Sequence, residues 1–273
     1  MTISAATRVL VLIGNPVAHS LSPLMHNAWI ADHGLDAVYV AVPLQTEGDV
    51  AAIRALKAFG FAGANVTVPH KEAAAAAADV RDAEVANVLR WEADGLLSAF
   101  NTDGPGFIDA LTEAAPDWRA RVKRVLIVGA GGAAQAIAAA LSPPVDTIHF
   151  VNRTTARADA AAFAIPNGRA LRWDDLERGF GAADLIVQAT SLGMNGNPDL
   201  EWPTANIRTG AIVAEIVYRP LETSLLRGAR ARGLTTIDGL GMLIFQGARS
   251  FEHWFGILPD AAKARARLMA ALA

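Results

Sequence analysis

The 273-residue chain contains no cysteine. That absence excludes a disulfide framework, Cys-ligated zinc, an iron–sulfur cluster and a thiol nucleophile. Long apolar runs are also missing. Val9–Ile13 has the length of a strand and Ala73–Ala78 is alanine-rich. Neither approaches the roughly 20 apolar residues that cross a bilayer. There is no basic run, and 24 Lys+Arg against 27 Asp+Glu give a formal charge of −3. Nucleic acid and anionic membranes are therefore not expected partners. Met1–Thr7 carries no charged segment ahead of a long apolar one, so a cytoplasmic location is expected.

Hydrophobic residues make up 52% of the chain, too many for a disordered polymer. At a prior of about 150 residues per domain, the length predicts nearly two domains. Apolar runs of strand length alternate with helical stretches, which predicts an α/β fold with a largely parallel sheet. The expected strands are Val9–Ile13, Val38–Val42, Ala64–Val68, Leu96–Phe100, Arg124–Val128, Thr147–Val151, Asp184–Gln188, Ile212–Val217 and Leu234–Ile237. Ser22-Pro23 reads as N-cap and first helical residue. Helices are expected over Glu47–Phe59, Lys71–Ala78 and Leu240–Phe255. In the last, Leu240, Leu243, Ile244, Phe251 and Phe255 form a core face. The pattern restarts near residue 104, so the expected division is 1–103 with 240–273 returning to it, and 104–239.

The second half carries a phosphate-binding pattern. Strand Arg124–Val128 runs into Gly129-Ala130-Gly131-Gly132-Ala133-Ala134 and then a helix. The first glycine permits a sharp turn, the second lets the backbone approach a pyrophosphate, and Ala134 allows close helix–strand packing. The helix N-terminus offers free N–H groups and a positive dipole end. A site for NAD usually has an acid at the end of the next strand. Here that end reads Val151-Asn152-Arg153-Thr154-Thr155-Ala156-Arg157. Arg153 and Arg157 suit a 2′-phosphate, which favours NADP over NAD; the plainer alternative is a pair of solvated arginines. Thr190 and Ser191 follow another expected strand, at the end that borders the crevice of such folds, and are read as cofactor-side contacts.

The first half carries polar clusters. Gly14-Asn15-Pro16-Val17-Ala18-His19-Ser20-Leu21-Ser22-Pro23 places two hydroxyls, Ser20 and Ser22, on one loop. In Asn65-Val66-Thr67-Val68-Pro69-His70-Lys71, strand alternation would aim Asn65 and Thr67 the same way. Lys71 would open a helix, where its charge opposes the dipole. With four lysines against twenty arginines in the chain, that placement marks Lys71 as a candidate for chemistry. Asn101-Thr102-Asp103-Gly104 reads by itself as a turn. His19, His26 and His70 are read as structural.

Eight segments in register resemble the shikimate dehydrogenases: 14–23, 65–71, 101–104, 129–133, 152–154, 189–191, 217–223 and 238–248. They cover nearly the whole chain. The resemblance implies an N-terminal α/β substrate domain and a Rossmann-like NADP-binding domain with a cleft between them. It implies reversible NADPH-dependent reduction of 3-dehydroshikimate to shikimate, in aromatic amino-acid biosynthesis, by a monomer or homodimer without a metal. Carried over by motif, Lys71 and Asp103 are the catalytic pair. Ser20, Ser22, Asn65, Thr67, Asn87, Tyr218 and Gln246 face the substrate. Gly129, Ala130, Gly131, Gly132 and Ala133 bind the pyrophosphate. Asn152, Arg153, Thr154 and Arg157 hold the 2′-phosphate end, and Gly239 and Met242 lie near the nicotinamide.

The chain departs from the family in two places. Glu84-Val85-Ala86-Asn87-Val88 stands where Gly-Ala-Val-Asn-Thr is usual, and Glu215 stands where aspartate is common. Three alternatives follow: a paralogue acting on quinate or another cyclohexene polyol, a non-catalytic NADP-binding sensor, and another two-domain dehydrogenase such as one acting on folate.

Overall fold

The computed structural model describes residues 3–46, 48–194 and 196–272. Two compact units divide the chain: residues 1–102 with 246–273, and residues 103–245. The sequence reading placed these breaks at 103/104 and 239/240. Among the described residues no helix is long and apolar enough to cross a membrane.

In the first unit, strands β1 (Arg8–Gly14), β2 (Ala37–Pro43), β3 (Phe61–Val66), β4 (Val80–Arg81), β5 (Val88–Trp91) and β6 (Leu97–Phe100) form one sheet. Its order is β2-β1-β3-β5-β6-β4. β1 is parallel to both neighbours, and its Leu10 and Val11 are fully buried, as a central parallel strand covered on both faces requires. β5 is antiparallel to β3 and β6, so this sheet is mixed rather than largely parallel. Helices α1 (Ser22–Asp32), α2 (Val50–Ala55) and α3 (Lys71–Ala77) lie between the strands in sequence.

Several local expectations change. Leu21, not Ser22, caps α1, and Ser22 is its first residue. The Ser20 hydroxyl instead accepts the Ser22 N–H at 3.2 Å. Glu47, the expected start of the second helix, lies outside the described residues. α2 begins at Val50 because the Asp49 carboxylate caps it through Ala52 N–H at 2.8 Å, and a 3-10 turn occupies Leu56–Phe59. β3 stops at Val66, so Thr67 falls beyond it and strand alternation does not pair it with Asn65. β4 and β5 are too short and mixed in pattern to stand out from sequence.

In the second unit, α4 (Asp103–Ala114) and α5 (Trp118–Arg121) precede a six-stranded sheet. The strands are β7 (Arg124–Val128), β8 (Thr147–Val151), β9 (Gly168–Leu171), β10 (Leu185–Gln188), β11 (Ile212–Glu215) and β12 (Thr235–Ile237). The helices are α6 (Gly132–Leu141), α7 (Thr155–Phe163), α8 (Leu176–Ala182), α9 (Ser224–Ala231) and α10 (Gly239–Phe255). All pairings are parallel, and the order is β12-β11-β10-β7-β8-β9. This is the doubly wound order of dinucleotide-binding sheets, with its switch point between β7 and β10. Asn101 to Gly104 is a junction rather than a turn, because Asp103 already opens α4. A carboxylate in the first turn of a helix is favoured by the dipole.

Apolar side chains fill both faces of this sheet. Val125, Ile127, Ile148, Phe150, Leu185 and Val187 pack on one side with α4 and α6. Leu126, Val128, Ile186 and Val213 pack on the other with Phe180 of α8 and Leu225 of α9. α10 starts in this unit and ends in the first, after which α11 (Ala261–Leu272) follows. α11 meets α1 through Arg267, whose guanidinium grips Asp32 with two bonds of 2.6 and 2.8 Å. Lys263 adds a second cation at 3.1 Å, and these bonds hold the Asp32 carboxyl well below the usual carboxylate range.

Candidate active site

In the first unit, polar side chains at the strand ends bond into one buried chain. The Tyr39 hydroxyl donates to Asn65 Oδ1 at 2.8 Å. Asn65 Nδ2 donates to the Asn87 carbonyl and to Ser250 Oγ, both at 2.9 Å. Ser250 Oγ donates to the Gln246 carbonyl at 2.9 Å and lies 3.2 Å from Thr102 Oγ1. Asn87 closes the chain. Its Nδ2 donates to Thr102 Oγ1 at 2.8 Å and to Gln246 Oε1 at 3.0 Å, while its Oδ1 accepts Thr102 N–H at 2.7 Å. Asn65, Asn87, Thr102 and Ser250 are all buried. Buried amides are stable only when satisfied, and here they are.

This network brings together three residues expected at a substrate site: Asn65, Asn87 and Gln246. Both Asn65 N–H groups are engaged inside it, which makes Asn65 a support for Asn87. Tyr39, Thr102 and Ser250 were not singled out from sequence. Ser250 was legible, because it lies four residues after Gln246 on an expected helix and shares its face. Tyr39 and Thr102 carry no such signal; only the sheet brings them close. Ser22 is buried, and Ser20, Thr67 and Lys71 are half-buried. Lys71 is the first residue of α3, where its charge opposes the helix dipole.

His26 and His70 are structural. His26 is buried and stacks on Tyr39 with centroids 4.3 Å apart. Trp29, Phe251 and Trp254 surround it. Neither ring nitrogen has a hydrogen-bond partner, and burial pushes its pKa down to about 3. It is a neutral aromatic plate. His70 is buried, with Nε2 2.9 Å from the Leu44 carbonyl.

In the second unit, the glycine turn has the features a pyrophosphate needs. Gly129 has φ +121°, and a Cβ there would stand 2.7 Å from the Ala189 carbonyl oxygen. Only glycine fits. Around Gly131, the residue before α6, no atom lies within 4 Å of where a Cβ would sit. That open side leaves backbone room for a ligand at the start of the helix. Ala134 is fully buried, as close helix–strand packing requires. After β8, the Asn152 amide donates to the Thr154 carbonyl at 3.0 Å and shapes the turn. Arg153 and Arg157 are exposed. Among the described residues no acid ends β8, so these features fit a cofactor that carries a 2′-phosphate.

Asp103 is buried at the start of α4. Gly239 opens α10, where a Cβ would overlap the Val217 carbonyl. Met242 lies three residues further along α10 and is buried. Ser191 is exposed and Thr190 half-buried.

A doubly wound sheet with a glycine turn, preceded by a unit rich in buried amides and hydroxyls, defines a dinucleotide-dependent α/β protein. Comparison with known proteins narrows that class. The shikimate dehydrogenase substrate binding domain matches residues 12–89. The shikimate / quinate 5-dehydrogenase profile matches 112–194, and the shikimate 5'-dehydrogenase C-terminal domain matches 239–269. A shikimate dehydrogenase (NADP(+)) of Rhodospirillum rubrum is 44% identical, over 94% of this chain and 95% of the relative. A crystal structure of a shikimate dehydrogenase in complex with NADP+ superposes with a TM-score of 0.91 at 37% identity, covering 100% of this chain and 98% of the other. A quinate dehydrogenase from Corynebacterium glutamicum in complex with NAD gives a TM-score of 0.88 at 30% identity, covering 97% and 99%. The chain belongs to the shikimate dehydrogenase family.

Proposed function

We propose that the protein is an NADP-dependent oxidoreductase that reduces 3-dehydroshikimate to shikimate, reversibly, for aromatic amino-acid biosynthesis. The observation that carries this reading is the coexistence of two intact half-sites. One is the buried Asn87–Gln246 network with Lys71 in the first unit. The other is the Gly129 turn with Arg153 and Arg157 in the second. NADPH, when bound, supplies the hydride that reduces the ketone carbon. The ketone oxygen then develops negative charge and must gain a proton. Lys71 stabilises that charge and donates the proton, a general-acid role. Asp103 is the second member of the catalytic pair. Ser20, Ser22, Thr67, Asn87, Gln246 and Tyr218 hold the substrate's hydroxyls and carboxylate, and Asn65 keeps Asn87 in place. Gly129 to Ala133, Thr190 and Ser191 take the pyrophosphate side. Asn152, Arg153, Thr154 and Arg157 take the 2′-phosphate, with Gly239 and Met242 at the nicotinamide end. The reaction belongs to the cytoplasm, and the working form is a monomer or homodimer.

The test is initial-rate spectrophotometry with shikimate and quinate, each against NADP and NAD. Fast turnover confined to shikimate with NADP supports the reading. Replacing both Arg153 and Arg157 with alanine should then raise KM for NADP by about 10–100-fold and leave the weak NAD reaction unchanged, as expected for lost charge-assisted phosphate bonds. The likeness to a quinate dehydrogenase favours a second reading, action on quinate. Equal or faster turnover of quinate would replace the first reading with it.

A further inference from the structure

Two buried carboxyls among the described residues of the second unit, Asp184 and Glu215, play no part in the chemistry above; Asp184 is paired with Arg208. Glu215 ends β11 and is 2% exposed. Its Oε1 accepts the Val217 N–H at 3.0 Å. Its Oε2 accepts the Thr223 hydroxyl at 3.2 Å and the Gln188 amide at 3.5 Å. Burial pushes its pKa up to about 8, against the pull of these donors. An isolated core carboxyl is costly and is retained only where something depends on it.

Its partners point to what depends on it. Gln188 is fully buried at the end of β10. Its Nε2 also donates to the Leu192 carbonyl at 2.9 Å, and its Oε1 accepts the Thr190 N–H. The Ala189 backbone and the Thr190 side chain are what bar a side chain at Gly129: a Cβ there would meet Ala189 O at 2.7 Å and Thr190 Cγ2 at 3.0 Å. On the other side, Val217 is the residue whose carbonyl a Cβ at Gly239 would strike. Thr223 caps α9 through Leu226 N–H at 3.3 Å. One carboxyl therefore ties together the loop that abuts the glycine turn and the loop that abuts the start of α10.

We propose that Glu215 is a positioning residue for the dinucleotide, holding the loops after β10 and β11 through Gln188, Val217 and Thr223 so that the Gly129 and Gly239 backbones stand ready for the cofactor's pyrophosphate and nicotinamide. The inference rests on the NADP reading given above. Glu215 does not touch the reacting atoms.

Direct binding of NADP to the free enzyme tests it, read by quenching of tryptophan fluorescence. Glu215→Leu should raise Kd by about tenfold or more, and Glu215→Gln, which keeps an acceptor for Val217, by about threefold or less. Phe180→Leu, in α8 and in the apolar cluster that also holds Val213 of β11, controls for general loosening. At an equal loss of Tm it should leave Kd unchanged. Gln188→Leu should mimic Glu215→Leu, and the double variant should be no worse than either; this pair decides the matter if Glu215→Leu does not fold. Unchanged Kd in the leucine variants, or an equal rise in Phe180→Leu, overturns the proposal. A wild-type enzyme that does not bind NADP overturns the cofactor reading itself, and this proposal with it.

Discussion

At the strand ends of the first unit, amide and hydroxyl side chains bond to one another in a buried chain from Tyr39 to Gln246. At the strand ends of the second, a single carboxyl gathers one backbone donor and two side-chain donors, Thr223 and the β10 residue Gln188. The first arrangement suits a small polyhydroxylated acid, because it fixes uncharged donors and acceptors in the unit that also carries the half-buried Lys71. The second suits a long dinucleotide, because it fixes backbone, and backbone is what approaches a pyrophosphate closely. In the proposed reading, side chains confer substrate identity in one unit and loop placement confers cofactor binding in the other.

The comparison can be broken at its chemical end first. Lys71→Ala should lower kcat by about 10²–10⁴-fold, the usual worth of a general acid, with a small change in KM. A variant that keeps wild-type kcat would remove lysine from the reaction. Gly129→Ala places a Cβ against the Ala189 carbonyl at positive φ. It should weaken NADP by at least about 100-fold, or ~2.7 kcal/mol, while shikimate binding measured by calorimetry is preserved. Loss of both together would mean the units are not separable in function.

Asn87→Leu removes the bonds that Asn87 makes to Thr102 and Gln246. It should destabilise the first unit by about 1–3 kcal/mol in urea unfolding and raise KM for shikimate rather than for NADP. The smallest effect is a pH contrast. The His26 pKa is about 3 in the folded chain, below its ordinary 6.5. Its contribution is therefore present above pH 6.5 and lost as pH falls toward 3. The Glu215 pKa is about 8, above its ordinary 4.5. Its contribution is present below 4.5 and lost as pH rises toward 8. Thermal melts should show His26→Leu flattening the acid side of the profile and Glu215→Gln the alkaline side. Interchanged slopes would invert these assignments.

Much of the second unit was legible in sequence because a parallel strand buried on both faces is a continuous apolar run. Arg124–Val128 and Thr147–Val151 have in the structure the bounds expected from sequence. The short edge strand β9, with Arg169 exposed in it, is not such a run. The first unit was less legible. Its β5 pairs antiparallel and carries Arg90 beside Trp91, so it breaks the apolar pattern. Lys71 was conspicuous for its position at a helix start. The buried network was only half visible, because Tyr39, Asn65 and Thr102 meet through sheet register, which local sequence does not encode. Glu215 was noticed as a departure from its family, but its burial and its three donors needed the fold.

The continuity of α10 has a consequence for the order of synthesis. All six strands of the first unit leave the ribosome before the second unit begins, yet its polar chain lacks Gln246 and Ser250 until α10 is made. Trp254, which donates to the Leu89 carbonyl at 3.0 Å, arrives later still. The second unit, by contrast, has its whole sheet by Ile237. A chain released at residue 245 would thus carry every strand of the cofactor sheet, while the buried amides of the first unit would still lack Gln246 and Ser250.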